Sequence, residues 1–252
     1  HGATCGAQSL CGISSFRANT VQLPGVVIVP VPDQYRGIHG AGVEKYLEHL
    51  DLALQTSTSM SIAGMFIEPI QGFGGVVPIP LEYMRGSYDR IHEAGGLFIA
   101  DEVQCGVART GKNFWKFQDS DVVPDIVITA KGLGNGFPLG AVIAKREIAE
   151  AFSEKFHFHT FGANPMAAAA GRAVLKIIKD EKLQEHSRVI GQKLLNELKK
   201  LQEKYDIIGD VRGQGLMMGI ELVKDRKTKE PAIEETKQVF EKTRENGLVM
   251  SK

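Results

Sequence analysis

Cysteine, long apolar runs and net charge are all in short supply in this chain. Only Cys5, Cys11 and Cys105 are present, an odd number without metal-ligand spacing. That argues against a disulfide framework and for free thiols in a reducing compartment. No apolar run is long enough to cross a bilayer, so no membrane partner is expected. Thirty basic residues cancel thirty acidic ones, which removes any electrostatic reason to expect nucleic acid or an anionic membrane. His157 and His159 lack a further Cys or His cluster to complete a ligand set, so they read as ordinary histidines and no metal is expected. No internal repeat and no low-complexity segment is visible. The chain opens at His1 without methionine or targeting segment.

What is there is ordinary in bulk. The 252 residues are 43% hydrophobic and 24% charged, enough for one large core or a domain and a half. Helical spacing appears over Val43–Thr56, with Val43, Tyr46, Leu47, Leu50 and Leu54 on one face. A second helix is expected at Leu81–Glu93, after the loop of Pro78 and Pro80. Buried strands are expected at Val26–Val31, at Ile62–Ile70, from Leu97, at Ile126–Ala130 and, reversed, at Leu139–Ala144. Pro165–Lys179 reads as an Ala-rich helix and Lys182–Tyr205 as a long amphipathic one. Leu216–Val223 follows as a strand, with Val211–Gly215 leading into it, then a helix Ile233–Asn246 closed by Gly247. Alternation of strand and helix predicts an α/β fold: a mostly parallel sheet with helices on both faces. Residues 1–181 would form most of that domain. Residues 182–252 would supply the long helix and the start of a small α+β domain, incomplete in this chain.

Two strand ends carry the chemistry. Leu97–Ala100 is a buried-strand run that ends in Asp101-Glu102-Val103-Gln104. Ile126–Ala130 is a second such run, and it ends in Lys131, followed by Gly132, Gly134 and Gly136. In open α/β sheets ligands bind beyond the carboxyl ends of the strands. An amine beside a dry interior loses its proton readily and becomes a nucleophile, and the glycines let backbone approach a flat ligand. A lone lysine at a strand end is usually a solvated surface residue, and a lone aspartate a helix cap. Together they are the two groups that a pyridoxal phosphate (PLP) enzyme needs: a lysine for the Schiff base and an acid for the protonated ring nitrogen.

Five landmarks then fall in order. Glu68-Pro69-Ile70-Gln71-Gly72, Asp101-Glu102-Val103-Gln104, Ala130-Lys131-Gly132-Leu133-Gly134-Asn135-Gly136, Thr160-Phe161-Gly162-Ala163-Asn164-Pro165 and Val211-Arg212-Gly213-Gln214-Gly215-Leu216 resemble the class III aminotransferases over the whole chain. The texture is most like the alanine–glyoxylate aminotransferase 2 group. The resemblance implies the type I fold of PLP-dependent aminotransferases and a role for each matching residue. Lys131 would carry the cofactor and shuttle the proton. Asp101 would hold the ring nitrogen protonated, Val103 would pack on one ring face, and Gln104 would bond the ring hydroxyl oxygen. Glu68 would be an acid near the ring. Thr160 would reach the cofactor phosphate of the neighbouring subunit, which makes a homodimer, with a tetramer as the alternative, part of the site. Arg212 belongs to a landmark without an evident cofactor contact, and reads equally as a helix–strand boundary residue.

In the family an aromatic residue and a phosphate-cradling turn precede the H-G-x-T segment, and a carboxylate-binding arginine lies further on. All three are missing here, so the chain looks like a fragment and is expected to be inactive alone. Placement in mitochondria, as against cytoplasm, follows only from family analogy. Ornithine-type relatives carry glutamate where this chain has Phe73, and arginine where it has Ala3. Both changes favour small monocarboxylates: alanine as amino donor, glyoxylate or pyruvate as acceptor. Same-fold rivals, such as another omega-aminotransferase, a phospho-lyase or a decarboxylase, share the cofactor residues. A nucleotide-binding reading fails because G-L-G-N-G lacks the G-x-G-x-x-G spacing and any G-K-[ST]. A cofactor-free subunit is argued against by the presence of every visible cofactor side chain.

Overall fold

The computed structural model describes residues 1–17 and 22–251. A short helix α1 (Cys5–Ser9), capped by the Thr4 hydroxyl, opens the chain. Helix α2 (Val43–Ser57) buries Tyr46, Leu47, Leu50 and Leu54, the face its spacing predicts. Strand β1 (Gly64–Ile67) is followed by a small hairpin, β2 (Ile70–Gln71) against β3 (Val77–Pro78). Helix α3 (Leu81–Glu93) starts after Pro80 and is closed by Gly95 at φ +74°. Strands β4 (Leu97–Asp101), β5 (Ile126–Thr129) and β6 (Ala141–Ala144) complete the first sheet.

That sheet runs in the order β1-β4-β5-β6. The first three strands are parallel, and β6 returns antiparallel against β5. Helices α2 and α3 press together so closely that a Cβ on Gly86 would lie 2.6 Å from Leu47. With Ile67, Phe98 and Val122 they form the main core. Burying one such large apolar side chain is worth about 1.5–3 kcal/mol, so this cluster carries much of the fold's stability.

Helices α4 (Arg146–Ser153), α5 (Pro165–Asp180) and α6 (Leu183–Lys204) follow. Asn164 caps α5 by accepting from the amides of Met166 and Ala167, with Pro165 at the first helical position. A second sheet, β7 (Ile208–Gln214), β8 (Met217–Asp225) and β9 (Glu230–Pro231), is wholly antiparallel, and α7 (Ile233–Glu245) packs beside it. Backbone meets backbone at one junction: a Cβ on Gly191 of α6 would lie 2.3 Å from the Gly215 carbonyl oxygen, and one on Gly215 would lie 2.5 Å from that of Thr110. Only glycine fits there.

Three sequence expectations need correction. Val26–Val31 is not a strand: Pro30 and Pro32 lack amide donors, and no neighbouring strand pairs with the segment, although Val29 still packs on the core. Ile62–Ile70 is not one strand but two short ones, because Glu68-Pro69 turns the chain into the β2–β3 hairpin. Val211–Gly215 does not merely lead into a strand; Ile208–Gln214 is itself one, and Arg212 lies inside it, not at a helix–strand boundary. Among the described residues no helix is long and apolar enough to cross a membrane.

Candidate active site

Strands β1, β4 and β5 are parallel, so their carboxyl ends deliver Glu68, Asp101 and Lys131 to one edge of the sheet. Asp101 ends β4 and is buried. Its Oδ1 accepts the Val103 amide at 3.1 Å. A turn begins there, and it defeats strict alternation: Asp101 and Gln104 face the same partner, the His1 side chain. His1 Nδ1 stands 2.9 Å from Asp101 Oδ1, and His1 Nε2 2.7 Å from Gln104 Nε2. The His1 ammonium donates to Asp101 Oδ2.

Glu102 turns the other way, into the interior, and is fully buried. Its Oε1 accepts the Phe117 amide at 2.7 Å, and its Oε2 takes the Cys105 thiol at 3.2 Å. Burial raises its pKa against those donors, and burial also pushes the Cys105 thiol well up. Glu102 therefore anchors the loop that carries Val103 and Gln104, a task not visible in the sequence.

Glu68 follows β1 and is half-buried. Its Oε2 accepts the Gly72 amide at 3.2 Å and lies 3.8 Å from His1 Nε2. Burial pushes its pKa up to about 7; Asp101 adds to the rise, while the Gly72 amide, the His1 ammonium and Lys131 oppose it. Its carboxyl thus keeps its proton to a higher pH than an exposed glutamate does.

Lys131 opens a single 3₁₀ turn after β5, at φ +37°. The positive φ costs an L-residue energy and marks a backbone held for a purpose. Its side chain is exposed, so the dry surroundings expected for it are not provided by the described residues. Its Nζ lies 5.5 Å from the centre of the Phe73 ring, within cation–π range. Of the three following glycines, Gly134 has no room for a Cβ, which would lie 2.1 Å from the Phe137 carbonyl oxygen. Gly136 needs a positive φ of +101°, and Gly132 has ordinary space.

Thr160 lies in the exposed loop between α4 and α5 with His157 and His159. No hydrogen bond joins it to Asp101, Gln104 or Lys131 among the described residues. The chain thus gathers Glu68, Asp101, Val103, Gln104 and Lys131, and leaves Thr160 apart. Among the described residues no group of three His, Cys, Asp or Glu side chains is placed to hold a metal.

Residues 1–252 match the class-III aminotransferase family. The chain is 48% identical over 252 residues to the mitochondrial alanine–glyoxylate aminotransferase 2 homolog 2 of Arabidopsis thaliana, covering 100% of this chain and 52% of that protein. To the human mitochondrial alanine–glyoxylate aminotransferase 2 it is 47% identical over 211 residues, 83% of this chain and 41% of that one. An ethanolamine-phosphate phospho-lyase homolog of Caenorhabditis elegans is 39% identical over 250 residues, 92% of this chain and 54% of that protein. The chain spans about half the length of the curated relatives it matches. Among solved structures, a Bacillus anthracis aminotransferase superposes with a TM-score of 0.92 at 36% identity, over 100% of this chain and 58% of that one. A PLP-bound amine transaminase from an uncultivated Pseudomonas species gives 0.93 at 32% identity, over 100% and 60%. On the sequence match along its full length and on the fold it shares with these enzymes, the chain belongs to the class III aminotransferases.

Proposed function

We propose that the protein is a PLP-dependent transaminase that moves the amino group of a small amino acid, alanine, to an oxo-acid, glyoxylate or pyruvate. The observation that carries this reading is the shared strand edge, where the buried Asp101 carboxylate ends one parallel strand and Lys131 follows the neighbouring one. The donor set fits the cofactor: a buried acid for the ring nitrogen, an amide at Gln104 for the ring hydroxyl oxygen, the Val103 side chain for a ring face, and an amine at Lys131. Bound there, pyridoxal phosphate supplies an electron sink for the substrate's α-carbon electrons.

The chain's own residues do the rest. Lys131 would hold the cofactor through its amine, and that amine, once free, would move a proton to and from the substrate carbon. Asp101 keeps the ring nitrogen protonated, and its orientation is set by the Val103 amide. Glu68, with a pKa of about 7, can hold or release a proton beside the ring. Thr160 completes the phosphate site of a second subunit, so the working unit is a homodimer. The exposed Phe156, Phe158 and Phe161 around Thr160 give such a contact apolar area. The division at residues 181 and 182 into a cofactor-binding part and a smaller α+β part follows the change from the parallel to the antiparallel sheet. The relatives' names support a mitochondrial location.

The substrate reading rests on Phe73. Its ring, not a carboxylate, stands beside Lys131. It cannot pair with a substrate-binding arginine, which leaves such an arginine free for a small monocarboxylate in both half-reactions. The phospho-lyase relative supports a second reading, elimination without an acceptor. Borohydride reduction of the full-length protein loaded with pyridoxal phosphate, followed by peptide mapping, should place the label on Lys131. Turnover of alanine should require an oxo-acid, with glyoxylate preferred to 2-oxoglutarate. A label on Lys112, Lys116 or Lys145 would refute the site. Acceptor-independent phosphate release from a phospho-amine would establish the second reading instead.

A further inference from the structure

The turn Gly72–Val76, between β2 and β3, touches both the Gln104 side and the Lys131 side of the proposed site. Its first residue lies against Gln104, where a Cβ on Gly72 would fall 2.5 Å from the amide group. Its second residue is Phe73, whose ring faces Lys131 Nζ. The ring also meets Phe16 edge-on at 5.2 Å. Yet Phe73 is 65% exposed, and its surroundings alone do not fix it.

The turn is strained. Val76, a β-branched residue, sits at φ +53°, next to Gly75, whose φ of +109° suits only glycine. Such a backbone costs on the order of 1–3 kcal/mol per outlier and persists only where its neighbours determine it. Two internal bonds, from the amides of Gly75 and Val76 to the Gly72 carbonyl, close the turn at 3.1 and 3.0 Å. From below, Val76 packs on the buried cluster of Ile70, Cys105 and Met217.

From above, the antiparallel sheet grips it. Arg212 on β7 donates its Nε–H to the Gly75 carbonyl at 2.9 Å. Gly219 on β8 is the ladder partner of Arg212, and a Cβ there would meet the same Gly75 oxygen at 3.0 Å. The ladder is thus bare where the turn enters it. The guanidinium is itself fixed: its Nη1 donates to Asp210 at 2.8 Å and to Glu221 at 2.7 Å. Arg36 pairs with the other oxygen of Glu221.

We propose that Arg212 is a positioning residue of the site: by holding Gly75 it keeps Phe73 as the wall beside Lys131 against which a small amino donor is bound. This rests on the functional reading above for what is bound at Lys131, but not for the clamp itself. Arg212 touches neither Lys131 nor Asp101 and acts only through the turn. A charge-assisted bond of this kind, lost, should free the turn on the order of tenfold.

The clamp is tested on the full-length protein before any substrate is added. Hydrogen exchange at the Gly75 and Val76 amides should quicken about tenfold in Arg212→Leu and less in Arg212→Lys, which keeps the charge and the two carboxylate partners. Arg36→Leu, which removes only the outer pair, should leave those amides unchanged. Should Arg212→Leu fail to fold, Arg212→Lys carries the test. Unchanged exchange in Arg212→Lys and Arg212→Leu overturns the clamp whatever the reaction. In the holoenzyme, Arg212→Leu should raise the KM for the amino donor about fivefold with kcat within about twofold. Phe73→Ala should do the same, and the double variant should add nothing. Losses that multiply in the double variant would show that Arg212 does not act through Phe73. If exchange responds while alanine is not transaminated, the clamp stands and the substrate reading falls.

Discussion

The two ends of the parallel sheet treat their carboxylates in opposite ways. At the amino end, before β5, Asp125 is buried and fully served. Its Oδ2 accepts the Phe98 amide at 2.7 Å and stands 2.7 Å from His92 Nε2; its Oδ1 accepts Lys145 Nζ at 2.7 Å. Burial works to raise its pKa, but Lys145, the Phe98 amide and His92 together outweigh that and hold it below the usual carboxylate range. At the carboxyl end Glu68 has one backbone donor and a pKa pushed up to about 7. Positive φ angles occur on the loops of both ends, at Val76, Val107, Ala108, Lys131 and Asn135 here and at Met60 and Asp121 on the other side. One end is built to stay folded. The other keeps one acid, Glu68, with a single backbone donor and a raised pKa, a group free to exchange its proton at a binding edge.

Substitution at each end should separate the two tasks. Asp125→Ala leaves the buried Phe98 amide without its acceptor and removes the partner of Lys145 and His92. It should cost about 2–4 kcal/mol of stability, read as a lower urea midpoint, with kcat nearly unchanged in whatever fraction remains folded. Asp101→Asn should do the reverse. An opposite charge near the ring nitrogen raises that nitrogen's pKa, so its loss should cost turnover on the order of a hundredfold while cofactor occupancy and urea midpoint hardly move. A mutant with near-normal rates, or an Asp125→Ala protein as stable as the parent, would erase the contrast.

The pH dependence should also differ in sign. Asp125 has a lowered pKa, so its contribution is present above the ordinary value of 3.8 and is lost as pH falls through the folded value. Glu68 has a raised one. The folded state holds its proton more tightly than the unfolded chain does, so that contribution is full below 4.5 and is lost as pH rises to about 7. The span is no more than about 3 kcal/mol, and solvent reaching the half-buried group reduces it. Glu68→Gln should flatten the fall in stability between those two pH values and leave the acid limb alone. An unchanged slope in unfolding titrations of the cofactor-free protein would contradict the raised value.

Much of this contrast was legible from residue order alone, and the reason differs by element. Helix α3 and strand β4 keep their predicted limits because Pro80, Gly95 and the run Leu97–Ala100 are local signals that tertiary structure does not override. Asp101 and Lys131 could be paired because parallel strands must present their carboxyl ends together. Glu102, beside them, could not be told from a catalytic acid, since only the returning Phe117 amide turns it inward. The hairpin at Ile70–Pro78 takes its first residue from the run Ile62–Ile70, which reads as one strand although Glu68-Pro69 breaks it. Arg212 carries no local hint of Gly75, 137 residues earlier. Lys131's exposure is likewise set by what lies over it, which no strand pattern encodes.

The finest probe of the amino end is Lys145. Its side chain is 37% exposed, whereas the Asp125 side chain it meets is only 6% exposed. The bond raises the Lys145 pKa, but an ion with one side in water gains little from its partner. Removing it also leaves Asp125 with the Phe98 amide and His92, so no buried charge is stranded. Lys145→Met should therefore cost only about 0.5–1 kcal/mol, far less than Asp125→Ala, and should not change kcat. In an Asp125→Ala background the same substitution should cost nothing, because the partner is already gone. A full-sized loss in that background would mean that Lys145 stabilises the strand end through its packing and not through Asp125, and that the amino edge is held by more than its buried carboxylate.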